Sequence, residues 1–377
     1  MGSSEKMKIG ILTSSRADYG IYLPLLHKLK DDTFFETDVI AFGAHLLARF
    51  GHTVVTIYKD GFNVREVPVN LEIGDSPKDI SLAMAETLRE FSSYFANNKY
   101  NLLFALGDRY EMFAAVAATA PFNIPMAHIH GGETTLGAID NAFRHSITCF
   151  SKYHFTSTEE YKNRVLQITG NKDYVYNVGA LSIDTLQQLK LLEISEFREK
   201  YSIDLSRPTV LFTFHPETVA YEINKNHIAE IIKALRSLTK YQIIVTMPNA
   251  DTMGLMIREE LGKAAIELPS ITIVESFGSL GYLSAMKHCA FMLGNSSSGF
   301  VEAAYFSKPV INLGNRQKGR IITTNILTVP ITERDIVNAV KVVEKTETTI
   351  VEPVYGTGGT ASAIVQIIKQ QLSLNHK

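Results

Sequence analysis

The stretch Cys289-Ala-Phe-Met-Leu-Gly-Asn-Ser-Ser-Ser-Gly299, continued by Phe300-Val-Glu-Ala-Ala-Tyr305, has the pattern of a short apolar strand, a tight turn and the start of an Ala-rich helix. A glycine in such a turn lets the backbone bend sharply and approach a ligand closely. The first N–H groups of a helix lack internal partners and carry partial positive charge, so they bind phosphate. The stretch therefore predicts an α/β unit whose turn is either a nucleotide diphosphate site or an ordinary serine-capped turn.

The same alternation of short apolar runs and helical patterns extends through the rest of the chain. Runs at 8–13, 37–42, 101–106, 124–129 and 153–156 lie in the first half, and the pattern restarts with runs at 209–213, 241–246, 290–293 and 309–313. Such alternation is typical of doubly wound parallel sheets, which bind ligands outside the carboxyl ends of their strands. We therefore predict an α/β fold of two Rossmann-like domains facing a cleft, at residues 7–190 and 191–377, with a final helix at 360–374 that could pack back on the first domain.

Composition excludes several classes of protein. The chain has 377 residues, 45% of them hydrophobic and 20% charged, with a net charge of −2, so it offers no basic surface for nucleic acid. No apolar run approaches the roughly 18 residues that cross a bilayer, and no signal peptide is apparent. The two cysteines, Cys149 and Cys289, stand far apart in apolar contexts, which favours free thiols over a disulfide. We expect a cytoplasmic enzyme with no membrane partner.

Ionisable residues follow the predicted strands of the first domain. The candidates are Arg16, Asp108, Arg109, His130, Glu133 and Asp140. Arg109 could bind a diphosphate while Asp108 acts as a base, although Asp108 could equally cap a helix. The two histidines and Glu133 of His128-Ile-His-Gly-Gly-Glu133 could in principle bind a metal, but we favour an acid/base cluster. Asp140 and Arg144 have the i, i+4 spacing of a helix-surface ion pair as well.

The predicted second domain carries a complementary set of polar residues. They are His215, Asn249, Ser296, Ser297, Glu302 and Arg316. Serine hydroxyls and the arginine suit phosphate, and Glu302 could accept bonds from ribose hydroxyls. His215 could contact phosphate or transfer a proton to a departing nucleotide, or merely brace its loop. The chain lacks G-x-G-x-x-G in its first turn and a Walker A lysine, which argues against a dinucleotide redox cofactor and against ATP hydrolysis.

Taken together, the strand-end motifs resemble those of a known family. They are Ser15-Arg-Ala-Asp-Tyr19, Leu106-Gly-Asp-Arg-Tyr-Glu111, His128-Ile-His-Gly-Gly-Glu133, Arg144-His-Ser-Ile-Thr148, Phe214-His-Pro-Glu-Thr218, Gly294-Asn-Ser-Ser-Ser-Gly299 and Asn312-Leu-Gly-Asn-Arg-Gln-Lys-Gly-Arg320. In this order, and over residues 7–359, the chain resembles the hydrolysing UDP-N-acetylglucosamine 2-epimerases of bacterial sialic acid and legionaminic acid synthesis. The resemblance implies a glycosyltransferase-B fold and conversion of UDP-N-acetylglucosamine and water to N-acetylmannosamine and UDP.

The resemblance also implies roles for individual residues. Nucleotide contacts fall on Arg16, Arg109, His215, Asn249, Ser296, Ser297 and Glu302, and catalytic carboxylates on Asp108 and Asp140. Many relatives have glutamate where this chain has His130, so proton transfer falls to His130, Glu133 or Asp140. Elimination to a 2-acetamidoglucal and its hydration need no cofactor and no obligatory metal.

Other readings of the motifs stay open. The same reaction could act on a UDP-linked 2,4-diacetamido-2,4,6-trideoxyhexose, and a non-hydrolysing epimerase, a glycosyltransferase or a nucleotide-sugar sensor are weaker alternatives. We expect UDP-sugar and UDP as ligands and a homodimer or homotetramer.

Overall fold

The computed structural model describes residues 6–69, 74, 76–219, 221–247, 254–346 and 350–375. Within them, the first half forms a seven-stranded parallel sheet. Its strands are β1 (Met7–Thr13), β2 (Phe35–Ala41), β3 (Asn63–Glu66), β4 (Leu102–Leu106), β5 (Met126–Ile129), β6 (Tyr153–Thr156) and β7 (Val175–Asn177), in the order β3-β2-β1-β4-β5-β6-β7.

A second parallel sheet, of six strands among the described residues, follows in the chain. Its strands are β8 (Thr209–Thr213), β9 (Gln242–Thr246), β10 (Ile271–Val274), β11 (Phe291–Gly294), β12 (Val310–Leu313) and β13 (Ile326–Val329), in the order β10-β9-β8-β11-β12-β13. The strand order reverses between β1 and β4 in one sheet and between β8 and β11 in the other. Such switch points are where doubly wound sheets bind ligands, and the predicted fold of two doubly wound α/β units is confirmed.

Helices cover the faces of both sheets. In chain order they are α1 (Arg16–Asp31), α2 (Val54–Lys59), α3 (Pro77–Asn97), α4 (Tyr110–Ala117), α5 (Asp140–Phe150), α6 (Glu159–Thr169), α7 (Leu181–Gln188), α8 (Ile194–Tyr201), α9 (Asn224–Ser237), α10 (Gly254–Glu267), α11 (Gly278–His288), α12 (Glu302–Tyr305), α13 (Glu333–Val343) and α14 (Thr360–Asn375). Because helices cover a central parallel strand on both faces, the sequence of such a strand is a continuous apolar run. All five residues of β4, Leu-Leu-Phe-Ala-Leu, are buried. Among the described helices, none is both long and apolar enough to span a bilayer.

The last helix, α14, follows the second sheet in the chain but packs on the first. Ile364 and Ile368 lie in one core with Tyr22 and Leu26 of α1. The carboxylate of Asp184, on α7, accepts hydrogen bonds from the first two N–H groups of α14, at 3.0 and 2.7 Å. A carboxylate at that position satisfies donors that a helix leaves unpaired. Thus α7 and α14 lie together on the first sheet.

The two halves also contact each other on either side of the cleft. On one side, the Arg16 guanidinium donates to the carbonyl oxygen of Glu275 at 2.8 Å. On the other side, the Leu136 N–H donates to the Lys318 carbonyl at 2.9 Å. Next to it, a Cβ on Gly137 would lie 2.6 Å from the Arg316 backbone, so only glycine permits this close approach. The two sets of strand-end loops therefore face one another.

Candidate functional site

A cleft of about 390 Å³ lies between the carboxyl ends of the two sheets, a size suited to a small-molecule ligand. Of the predicted site residues, nine line it: Arg16, Asp108, Arg109, Asp140, His215, Ser296, Ser297, Glu302 and Arg316. His130 and Glu133 are not among the residues that line it. Asn249 lies outside the described residues, so its predicted nucleotide contact stays a prediction.

The serine turn that follows β11 presents hydroxyls rather than a long helix. Ser297–Gly299 form a single 3-10 turn, and α12 has only four residues, Glu302–Tyr305, so the predicted Ala-rich helix is short. The Ser298 hydroxyl hydrogen-bonds to the Tyr282 hydroxyl at 2.6 Å. Gly294, at φ 139°, makes the turn possible, because a Cβ there would lie 1.9 Å from the Thr213 carbonyl oxygen. Hydroxyls and backbone N–H groups, rather than a strong helix dipole, are thus what this turn offers an anion.

Asn295, which the sequence analysis did not single out, joins this turn to His215. The His215 N–H donates to the Asn295 side-chain oxygen at 2.7 Å, and the Asn295 side-chain N–H donates to the His215 carbonyl at 2.8 Å. The backbone carbonyl of Asn295 in turn accepts bonds from Arg316 at 3.2 Å and Gln317 at 2.8 Å. Asn295 therefore holds three strand-end loops of the second sheet together, one through its side-chain amide and another through its backbone carbonyl. Its position directly after the strand glycine was the only signal in the sequence.

In the first half, Asp108 pairs with Arg144 rather than standing alone. The Arg144 side chain, on α5, is 3% exposed and donates to a carboxylate oxygen of Asp108. Its Nε and Nη1 atoms are buried and have no hydrogen-bond partner among the described residues. The residue that Arg144 hydrogen-bonds is therefore Asp108, which the i, i+4 spacing of Asp140 and Arg144 did not indicate. A buried cation fixes the Asp108 carboxylate at the edge of the cleft.

Arg109 is held in a similar way by a residue that the sequence analysis did not select. Its Nε and Nη2 atoms donate to the two carboxylate oxygens of Glu111, at 3.2 and 2.9 Å. Glu111 is buried. This two-point pairing fixes the plane of the guanidinium, which is the geometry that a bidentate partner requires.

The two histidines of the first half have different partners. His128 donates from Nε2 to the Gly107 carbonyl at 2.9 Å, and its Nδ1 faces the Thr148 hydroxyl at 3.1 Å. Burial lowers the pKa of His128 to about 3, so it is neutral and braces the turn that carries Asp108. His130 has a left-handed backbone, at φ 65°, and its Nε2 accepts the Leu181 N–H at 3.4 Å. Burial lowers the pKa of His130 as well.

Glu133 lies in a buried ion pair that crosses between the two halves. Its Oε2 atom is 2.7 Å from Nη1 of Arg320, and the Ser157 hydroxyl donates to Oε1 at 3.1 Å. Burial raises the pKa of Glu133, but the charges of Arg320, His130 and Arg144 and the Ser157 hydrogen bond together outweigh burial, and the pKa falls to about 2. Arg320, which follows the same strand as Arg316, is thus paired with a carboxylate of the first half. Among the described residues, no three His, Cys, Asp or Glu side chains are placed to bind a metal.

Several buried hydroxyls lie on the floor of the cleft. The hydroxyls of Ser15 and Thr185 are buried and make no hydrogen bond within the described part of the chain. The buried Ser182 hydroxyl makes none of regular geometry, although it lies near enough to Glu302 to oppose part of the rise that burial causes in the pKa of that carboxyl. Glu302 lies in the same cleft, half-buried at the start of α12, and burial raises the pKa of its carboxyl. Unsatisfied buried hydroxyls are unfavourable unless a ligand completes their hydrogen bonds. The cleft therefore suits a ligand that is rich in hydroxyl and phosphate oxygens.

Comparison with known proteins agrees with this geometry. The chain is 35% identical to a GDP/UDP-N,N'-diacetylbacillosamine 2-epimerase (hydrolyzing) of Campylobacter jejuni, over 88% of this chain and 86% of that protein. It is 36% identical to the polysialic acid biosynthesis protein P7 of Escherichia coli, over 89% and 85% of the two chains.

Among solved structures, it is similar to the UDP-GlcNAc 2-epimerase of Methanocaldococcus jannaschii in complex with UDP-GlcNAc and UDP, with a TM-score of 0.82, 19% identity and coverage of 97% and 100%. That likeness shows a shared fold, the predicted glycosyltransferase-B type. Residues 27–369 match the family described as UDP-N-acetylglucosamine 2-epimerase. The chain therefore belongs to the UDP-N-acetylglucosamine 2-epimerase family.

Proposed function

We propose that this chain is a hydrolysing 2-epimerase, which converts UDP-N-acetylglucosamine and water to N-acetylmannosamine and UDP for sialic acid synthesis. The observation that carries the proposal is the single cleft in which Asp108 and Asp140 of one half face the serine turn and Glu302 of the other. Relatives named as a hydrolysing 2-epimerase and as a polysialic acid biosynthesis protein support the hydrolytic outcome. In this proposal the enzyme is a cytoplasmic homodimer or homotetramer.

The second half binds the nucleotide. Ser296, Ser297 and Arg316 contact the diphosphate, and Glu302 accepts hydrogen bonds from the ribose hydroxyls. Arg16 and Arg109, from the first half, complete the cationic environment of the phosphates. These donors are in place before the reaction, so they stabilise the charge that develops on UDP without reorganising.

The reaction begins with departure of UDP. The bond between C1 and the phosphate oxygen breaks, and UDP leaves with the electron pair while positive charge develops on the sugar ring. A cleft carboxylate, Asp108 or Asp140, removes the proton from C2, and the C1–C2 double bond of 2-acetamidoglucal forms. His215, beside the serine turn, stabilises the leaving phosphate or protonates it.

Hydration completes the reaction. The oxygen of a water molecule bonds to C1, and its released proton passes to a cleft carboxylate. C2 receives a solvent-derived proton on the opposite face from an acid other than the carboxylate that removed its first proton, and that carboxylate releases the first proton to solvent. The product is N-acetylmannosamine. Each step uses proton transfer and charge stabilisation alone, so the chain's own side chains suffice. Of the three residues that the resemblance offers for proton transfer, Asp140 lines the cleft, whereas His130 and Glu133 do not.

A second candidate substrate is UDP-2,4-diacetamido-2,4,6-trideoxyglucose, with the same bonds made and broken. The similarity to a protein named diacetylbacillosamine 2-epimerase favours it. The two sugars differ at C4 and C6, away from the reacting carbons, so the mechanism is common to both.

Proton NMR in deuterated water tests the proposal directly. The protein is incubated with each UDP-sugar separately, and UDP, free sugar and deuterium at C2 are measured together. We expect free UDP and a 2-epimerised sugar that carries deuterium at C2. Release of UDP without exchange at C2 would exclude the reaction, and formation of a UDP-linked epimer without free UDP would indicate the non-hydrolysing type. The ratio of kcat/KM for the two sugars identifies the substrate.

A further inference from the structure

Two strand-end loops, one from each half, meet next to the cleft through side chains that do not themselves line it. The loop after β5 carries His130 and Glu133, and the loop after β12 carries Gln317 and Arg320. The Glu133 and Arg320 side chains are 4% and 5% exposed and form the buried ion pair described above. An ion pair without access to water is costly to form and is stable only in a well-defined geometry. This contact therefore fixes the distance between the loops more strictly than an exposed pair would.

A continuous series of hydrogen bonds leads from this ion pair into the cleft. Arg320 Nε donates to the Gln317 side-chain oxygen at 2.6 Å. Gln317 donates to the Asn295 carbonyl at 2.8 Å, and the Asn295 side chain holds the His215 backbone on both its N–H and its carbonyl. His215 lines the cleft. The position of His215 thus depends on a carboxylate from the opposite half.

A second series runs from the same ion pair to the floor of the cleft. His130 Nδ1 lies 3.5 Å from Glu133 Oε1, and His130 Nε2 accepts the Leu181 N–H at the start of α7. Ser182 and Thr185, on the first two turns of α7, line the cleft. Since the Leu181 N–H is one of the unpaired donors of a helix start, the bond to His130 fixes where α7 begins.

We propose that His130, Glu133 and Arg320 form an interdomain clamp, a set of positioning residues that hold His215 and the first turns of α7 in register across the cleft. The clamp makes no contact with substrate, and proton transfer belongs to the carboxylates that line the cleft. This inference rests on the proposed function, because its consequence is the alignment of a nucleotide-binding half with a reacting half. Misplacement by about 1 Å is enough to lower a rate about 100-fold.

The test compares Glu133→Gln with Glu259→Gln, which removes the same charge from an exposed ion pair with Lys263 on α10. We measure kcat, UDP affinity by calorimetry, and the ratio of deuterium at C2 to UDP released. For Glu133→Gln we expect kcat to fall about 100-fold. The UDP dissociation constant should change less than about threefold, because most nucleotide contacts lie in the second half, and the ratio of C2 label to UDP should stay at one. Glu259→Gln should match the wild type in all three.

Glu133→Gln leaves Arg320 without its counter-ion, which can prevent folding, so the double variant Glu133→Gln/Arg320→Met is measured as well. Removing both charges of a buried pair is often tolerated. We expect the double variant to fold, to bind UDP, and to keep the loss of kcat.

A kcat of the double variant within threefold of the wild type would overturn the clamp. So would a variant that releases UDP at the wild-type rate without labelling C2, because Glu133 would then transfer the proton itself. If the wild type shows neither UDP release nor C2 label, the proposed function fails instead.

Discussion

The two halves of the cleft hold their polar groups by different means. In the first half the charged side chains are already paired, Asp108 with Arg144 and Arg109 with Glu111. In the second half the groups that follow β11 are neutral: Ser296, Ser298 and the amide of Asn295, bonded to one another or to backbone. The first half therefore presents charges fixed in ion pairs, and the serine turn of the second half presents fixed neutral donors beside Glu302 and Arg316.

This difference separates catalysis from nucleotide binding. Fixed charges act most strongly on atoms whose charge changes during the reaction, whereas neutral donors bind the diphosphate in both the substrate and the product and respond less to the charge that develops on it. We therefore expect substitution of the paired carboxylate Asp108 in the first half to lower kcat, and substitutions around the serine turn and Glu302 to weaken binding. Each prediction below tests that division.

The largest effect is expected for Asp108→Asn. The substitution keeps the shape of the side chain and an oxygen for Arg144 but removes the charge and the basic group. We expect kcat to fall about 100- to 10,000-fold, the range for loss of a general base, while UDP affinity changes little. NMR measures turnover and calorimetry measures binding, with the exposed Asp173→Asn as control. Loss of UDP binding in a folded Asp108→Asn protein would contradict the division between halves.

A smaller effect of the opposite kind is expected for Glu302→Gln. The amide retains one oxygen that accepts hydrogen bonds but loses the charge that strengthens them. UDP affinity should fall about 10-fold, which is typical of losing a charge-assisted hydrogen bond, while kcat at saturating substrate stays near the wild-type value. Calorimetry measures the UDP affinity, and steady-state kinetics measure kcat. Unchanged UDP affinity would remove Glu302 from the ribose site.

The same carboxylate predicts a pH dependence of UDP binding. Burial raises the pKa of Glu302 in the free protein, so it becomes protonated at a higher pH than an ordinary glutamate does. The ionised form accepts ribose hydroxyls better, so UDP affinity should be full above that pKa and fall as the pH drops through it. Titration of the UDP phosphates is common to wild type and Glu302→Gln, so the difference between their curves isolates Glu302. If UDP affinity changed with pH in the same way in wild type and Glu302→Gln, the Glu302 carboxyl would make no contribution to UDP binding.

Much of the architecture could be predicted because apolar strands and polar strand ends are local features. The run 101–106 indicates a buried strand on its own, and Asp108 and Arg109 then fall at its carboxyl end, where parallel sheets bind ligands. The serine turn and Glu302 followed from the same rule in the second half.

The partners of these residues could not be predicted, because each comes from a distant part of the chain. Asp108 is paired with Arg144, and Glu133 with Arg320. His130 looked like a cleft residue because it follows β5 directly, but its left-handed backbone is associated with a side chain that bonds to α7 instead. The spacing of residues along a sequence indicates the period of one helix or strand, whereas these contacts depend on how two sheets face each other.

The smallest effect is expected on the floor of the cleft, at Ser182. Its buried hydroxyl lies near the Glu302 carboxyl but makes no hydrogen bond of regular geometry among the described residues, which is unfavourable for the free protein. Ser182→Ala should therefore melt at the same or a higher temperature than wild type, yet bind UDP or substrate about threefold more weakly, because a hydrogen bond to ligand is lost. Ser373→Ala, at an exposed position on α14, should change neither property. A lower melting temperature with unchanged affinity would mean that the Ser182 hydroxyl stabilises the fold. The floor of the cleft would then contribute neither to nucleotide binding nor to catalysis.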